Sequence, residues 1–180
     1  VVLDVKEVLY SVIDSIGRDT IRAQVSSNID AASRRYSEEI ISKCVDVLGQ
    51  EADNETLGTL CEALLHFMLT ASQLPSERKV TVSGTELDVV VPSTKSLAKD
   101  PASAIIIQVI KTSGDLEKIE QAEQVQHRRE NVWTVSAKSL GVPSRNYNLI
   151  EGKFKYPSLI SDIHAFLADR GISSLKMFHG

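Results

Sequence analysis

Glu86 and Asp88 stand two apart in the run Thr85-Glu86-Leu87-Asp88-Val89-Val90-Val91. On a strand that spacing puts both carboxylates on one face, with Leu87, Val89 and Val91 on the other. A carboxylate among such neighbours is costly unless a cation pairs with it or a metal binds it. Further along, the apolar run Ala104–Lys111 carries Gln108 and ends on Lys111. Upstream, Leu60 to Ala71 is apolar except for Glu62, His66 and Thr70. Their spacing of four gathers them into one stripe on a helix, and a buried helix must aim such a stripe at something polar.

The elements that position these residues can be read from periodicity. Val5, Val8, Leu9, Val12, Ile13 and Ile16 are spaced as one helix face, and Gly17 ends that helix. Ile21, Val25, Ile29, Ala32, Tyr36, Ile40, Cys44 and Val47 then predict one long helix to about Gly49. Asp53 or Asn54 caps a buried helix over 55–73, which Pro75 stops. Strands follow at 79–83 and 86–91, joined at Gly84, and a polar loop leads to the central strand 104–111. A helix from Asp115 to about Asn131, a strand over 132–137 and a loop with one short extended piece come next. The chain closes with an amphipathic helix over 157–170 and an edge strand over 172–178. A helix between two strands implies a parallel crossover, so the class is mixed α/β. Residues 1–50 read as a helical extension or dimerisation segment, and 51–180 as the α/β domain.

Gly84-Thr85-Glu86-Leu87-Asp88-Val89-Val90-Val91 followed by Ile105-Ile106-Ile107-Gln108-Val109-Ile110-Lys111 resembles the core of PD-(D/E)XK nucleases, over roughly residues 55–140. The resemblance implies a restriction-endonuclease-like mixed β-sheet flanked by helices, with the N-terminal helices as an extension. It implies Mg2+ (or Mn2+) held by Asp88 and Glu62, a metal-activated water, and Lys111 stabilising charge on the phosphate. Asp88, Gln108 and Lys111 would then be catalytic, with Glu86 and His66 supporting them. The sequence departs from the family in two places. Gln108 stands where a carboxylate is usual, and it is three residues from Lys111 rather than two, which on a regular strand sends them to opposite faces. A bulge, a register that pairs Val109 with Lys111, or a lysine supplied by Lys118 would each restore the set. The helix after the central strand is expected to offer Gln124, Arg128 and Arg129 to nucleic acid, with Gln121, Gln126 and His127 beside them. The alternative is a solvated face, because Glu117, Glu120, Glu123 and Glu130 are interleaved.

The chain has 180 residues, 42% hydrophobic and 24% charged, which suits a packed core. Its formal charge of −4 means that any basic footprint is local, and 5% aromatics argues against a base-stacking platform. Cys44 and Cys61 lie in apolar helical patterns, which fits buried thiols in a reducing, intracellular (cytoplasmic or nuclear) setting. No apolar run is long enough to span a membrane. The start at Val1, without methionine, suits a piece of a longer protein. Gly84, Gly114 and Gly141 are isolated, so there is no glycine-rich nucleotide loop, and neither a serine elbow nor a metalloprotease helix is present. The function that follows is a metal-dependent endonuclease acting on phosphodiester bonds of DNA. The alternatives are an inactive nuclease-like module that binds nucleic acid or a protein, and an oligomer built on the N-terminal helices as a homodimer.

Overall fold

The computed structural model describes residues 3–172. The expected edge strand at the C-terminus lies outside them, apart from Ile172, which is not in a strand. Among the described residues, seven helices of the α type and five strands follow in the order α1 (Val5–Ile16), α2 (Arg18–Ser27), α3 (Ile29–Leu48), α4 (Asn54–Ser72), β1 (Glu77–Val82), β2 (Thr85–Val91), α5 (Thr94–Lys99), β3 (Ile105–Val109), α6 (Glu117–Val125), β4 (Val132–Val135), β5 (Arg145–Tyr147) and α7 (Leu159–Asp169). The sheet order is β1-β2-β3-β4-β5. The first two pairings are antiparallel and the last two parallel. This is the mixed α/β architecture expected, with the helical extension in front.

The apolar patterns account for the packing. Val89 and Val91 of β2, Ile105, Ile107 and Val109 of β3, and Trp133 and Val135 of β4 share one cluster with the buried faces of α1–α4 and α7. The opposite face of the sheet buries Leu87, Val90, Ile106 and Val132 against Leu97 of α5 and Ala122 of α6. Covering on both faces is why β3 reads as an unbroken apolar run. The stripe on the N-terminal helices is buried within the same chain. At its far end, His164 Nδ1 and the Ser161 hydroxyl of α7 meet Asp30 of α3 at 3.0 and 3.1 Å.

Three expectations needed correction. The long helix is two: α2 stops at Ser27 and α3 starts at Ile29, with Asn28 between them at φ −143°, ψ 74°. Ser26, Ser27 and Asn28 are all residues whose side chains compete for the helix backbone. Val47, assigned to the buried stripe, is exposed, and Leu48 takes that place. The polar loop after β2 contains α5, whose cap Ser93 accepts from the Ser96 N–H.

The helix after β3 is also shorter than expected. It ends at Val125, so Arg128 and Arg129 lie beyond it. Gln126 is fully buried. Its amide nitrogen donates to the Pro101 and Ala104 carbonyls, both at 2.9 Å, and its oxygen accepts from the Arg128 N–H at 3.0 Å. Gln126 therefore stitches the loop before β3 to the end of α6 and is not a surface contact. Gln126→Leu keeps the volume and strands these three groups, and should lower stability by about 2–4 kcal/mol in urea or thermal unfolding.

Candidate functional site

The site forms where β2 and β3 part. The two-residue turn Ser83-Gly84, with φ of 50° and 79°, fixes the β1–β2 register. Val80 faces Leu87 and Arg78 faces Val89, while the register passes over Lys79 and Asp88 between them. Lys79 has φ 54°, a left-handed conformation that is uncommon for a residue with a Cβ. The expected alternation fails at the same place: Leu87 belongs to the cluster under α6, and Val89 to the cluster under the N-terminal helices. A local kink thus frees Asp88 from the ladder.

The β2–β3 ladder ends at Val89 and Ile107. One step further, side chains replace backbone pairing. The Asp88 N–H donates to Gln108 Oε1, and the Val109 N–H donates to Asp88 Oδ2, both at 2.8 Å. The Gln108 amide nitrogen donates to the carbonyls of Glu86 and Lys118, at 3.4 and 3.3 Å. Gln108 is completely buried, and both ends of its amide are spent on backbone.

Glu62 reaches this point from α4, on the stripe with His66 and Thr70. Three lysines meet the two carboxylates. Lys111 Nζ lies 2.9 Å from Glu62 Oε1. Lys118 Nζ is bonded to Asp88 Oδ2 and to the Val109 carbonyl. Lys79 Nζ lies 3.0 Å from Glu62 Oε2 and 3.5 Å from Asp88 Oδ1, between the two groups. Gly58, one turn before Glu62, lets Lys111 pass: a Cβ there would lie 3.0 Å from Lys111 Cγ.

Glu62, Asp88 and Gln108 converge. β3 ends before Lys111, whose own N–H bonds Asp115, and its side chain goes to Glu62 rather than Asp88. Lys118 of α6 takes the place beside Asp88. Glu86 is exposed on β2 and touches the site through its carbonyl, so it does not share a buried face with Asp88. His66 is half-buried, and its Nε2 is enclosed without a hydrogen-bond partner. Gln124 is exposed, while Arg129 pairs with Glu123 at 3.1 Å and Arg128 with Glu130 at 3.9 Å. Lys79 was not foreseen. The signal for it was present, since a two-residue turn at 83–84 sets residue 79 opposite residue 88.

The fit of this set to a metal can be judged on its donors. Among the described residues no group of three or more His, Cys, Asp or Glu side chains gathers for a metal. The two carboxylates that do meet are occupied by ammonium groups, and the Gln108 oxygen already accepts from the backbone. The residues therefore do not fit a bound Mg2+ as they stand.

Burial alone would raise the Glu62 pKa, but its bonds to Lys111 and Lys79 and their charges outweigh it and hold the group at about 2. Burial, with the charge of Arg78 nearby, lowers the pKa of His66. Burial would lower that of Lys79, and the carboxylates Glu62 and Asp88 outweigh it and raise it.

The chain has a restriction-endonuclease-like fold. It is similar to the solved complex of the restriction endonuclease PspGI with substrate DNA, at 13% identity and TM-score 0.54, over 95% of this chain and 75% of that one. It is also similar to metal-depleted Ecl18kI in complex with uncleaved, modified DNA, at 8% identity and TM-score 0.54, over 96% and 81% of the two chains. No protein-family model and no curated protein sequence matches it.

Two outcomes are expected. Gln108→Glu, which restores the carboxylate usual at this place, sets an anion against two carbonyls and beside Asp88. It should cost about 3 kcal/mol in denaturant unfolding rather than create a working site. Both acid-side groups have lowered pKa values, so the stability they bring is present at higher pH and lost on acidification. Melting temperature should fall first as pH drops below 6.5, from His66. A larger loss, on the order of 3 kcal/mol, should come between pH 4.5 and about 2 from Glu62, and be absent in Glu62→Gln.

Proposed function

We propose that this chain is a nuclease-fold module that binds DNA without hydrolysing it. The observation that carries this reading is the saturation of Glu62 and Asp88 by Lys79, Lys111 and Lys118. Hydrolysis of the PD-(D/E)XK kind asks those carboxylates to hold Mg2+ or Mn2+, and Gln108 to stand beside them with a free oxygen. Here the oxygens are committed elsewhere. Two carboxylates against three ammonium groups leave one net positive charge, and exposed Arg78 adds another beside it. A cluster with one more ammonium than carboxylate, on an acidic chain, suits a phosphate backbone. The solved structures similar to this chain are described as complexes with DNA, which favours DNA as the partner. Gln124, Arg128 and Arg129 take a lesser part in this reading, since both arginines have glutamate partners. A DNA partner implies an intracellular setting. The pattern on α1–α3 is buried within the chain, so a homodimer would use their outer faces.

Supercoiled and linear DNA, single strands and RNA incubated with millimolar Mg2+ or Mn2+ should remain uncut. Duplex DNA should bind with an affinity that falls steeply with salt, and replacing Lys79 and Lys111 by Ala should weaken it roughly tenfold. Metal-dependent nicking that disappears in Asp88→Ala would return the chain to the hydrolases. Failure to bind any nucleic acid would leave a protein partner as the reading.

A further inference from the structure

Lys79 is the member of the cluster that its surroundings explain least. Of the three lysines it alone touches both carboxylates. It is also the most exposed, with 59% of its side chain open to solvent against 28% for Lys111 and 24% for Lys118. Packing therefore does not require a long side chain here. Its φ of 54° is a conformation that a glycine would adopt without strain. What a lysine supplies at this position is charge at one point in space.

The geometry gives that charge a specific task. Lys111 takes the Oε1 of Glu62, and Lys118 takes the Oδ2 of Asp88. The two oxygens that remain, Glu62 Oε2 and Asp88 Oδ1, both face Lys79 Nζ. One oxygen from each of two carboxylates, meeting at a point with solvent on one side, is a sparing but sufficient hold for a hard divalent ion. Such ions commonly keep several waters beside one or two carboxylates.

We infer that Lys79 is a built-in cation that keeps the Glu62–Asp88 pair closed to divalent metal ions, so that removing its ammonium opens a site for Mn2+ or Mg2+. The inference rests on the non-hydrolytic reading above. Without Lys79, two carboxylates face two ammonium groups, and the point between them loses the group that repels an incoming cation.

The test is Mn2+ binding, read by electron paramagnetic resonance or by water-proton relaxation, on the whole chain. Wild type, Lys79→Gly and Lys79→Met are compared. The glycine variant suits the left-handed backbone, and the methionine variant keeps the stem without the charge. Both should bind Mn2+ at least tenfold more tightly than the wild type, and Lys79→Gly combined with Asp88→Asn should lose that gain. Equal binding by the wild type overturns the inference, as does absence of binding in a variant with a native circular dichroism spectrum. Should neither variant fold, the wild-type melting temperature decides: the inference requires it to stay unchanged in Mn2+, and a rise overturns it. If the variants fail to gain Mn2+ while the wild type still binds DNA uncut, the role of Lys79 falls and the DNA-binding reading stands. Nicking by the wild type sinks that reading itself.

Discussion

The exchange of hydrogen bonds between Asp88 and Gln108 is the constraint on which the rest depends. Where β2 and β3 separate, two backbone groups would lose their ladder partners in a buried place. The Gln108 amide and the Asp88 carboxylate take over those partners. This keeps the strands joined beyond their last regular pair. It also draws a carboxylate into the interior, which is tolerable only with compensating charge. Glu62 enters from α4 at the same point, so compensation is needed twice over, and Lys79 of β1, Lys111 of the loop after β3 and Lys118 of α6 supply it.

That arrangement separates what the fold sets from what the side chains decide. The fold fixes where α4, β2 and β3 meet. What stands at the meeting point is decided by a few side chains. A glutamine whose amide is wholly committed and an ammonium group between two carboxylates make the meeting point an ionic knot. The residues that the resemblance marks as site residues hold the strands and helix together.

Much of this was legible in the sequence. The order of elements followed from periodicity, and Glu62, Asp88 and Gln108 were recognisable because polar residues in buried strands and helices need partners. The convergence of Lys118 was one of several arrangements the spacing allowed. The misreadings have physical causes. The break at Asn28 leaves the apolar stripe in phase, so periodicity cannot register it. The helix after β3 stops because Gln126 finds better partners in two carbonyls of a distant loop. Glu86 and Asp88 do not share a face because a kink at Lys79 and Asp88 resets the alternation. Lys79 itself was within reach of simple counting across the Ser83-Gly84 turn.

The same turn has a consequence for how such a site can change. Strand pairing measured from Ser83-Gly84 works as a ruler, and its zero mark lies far from the chemistry. A single inserted residue that slides β1 by one place would set Arg78 or Val80 against Asp88 in place of Lys79. A bulky, planar cation or an aliphatic side chain would then replace a compact ammonium, with no substitution at any residue of the cluster. Turn length at the solvent-exposed tip of the hairpin is therefore a second, indirect determinant of what the two carboxylates hold.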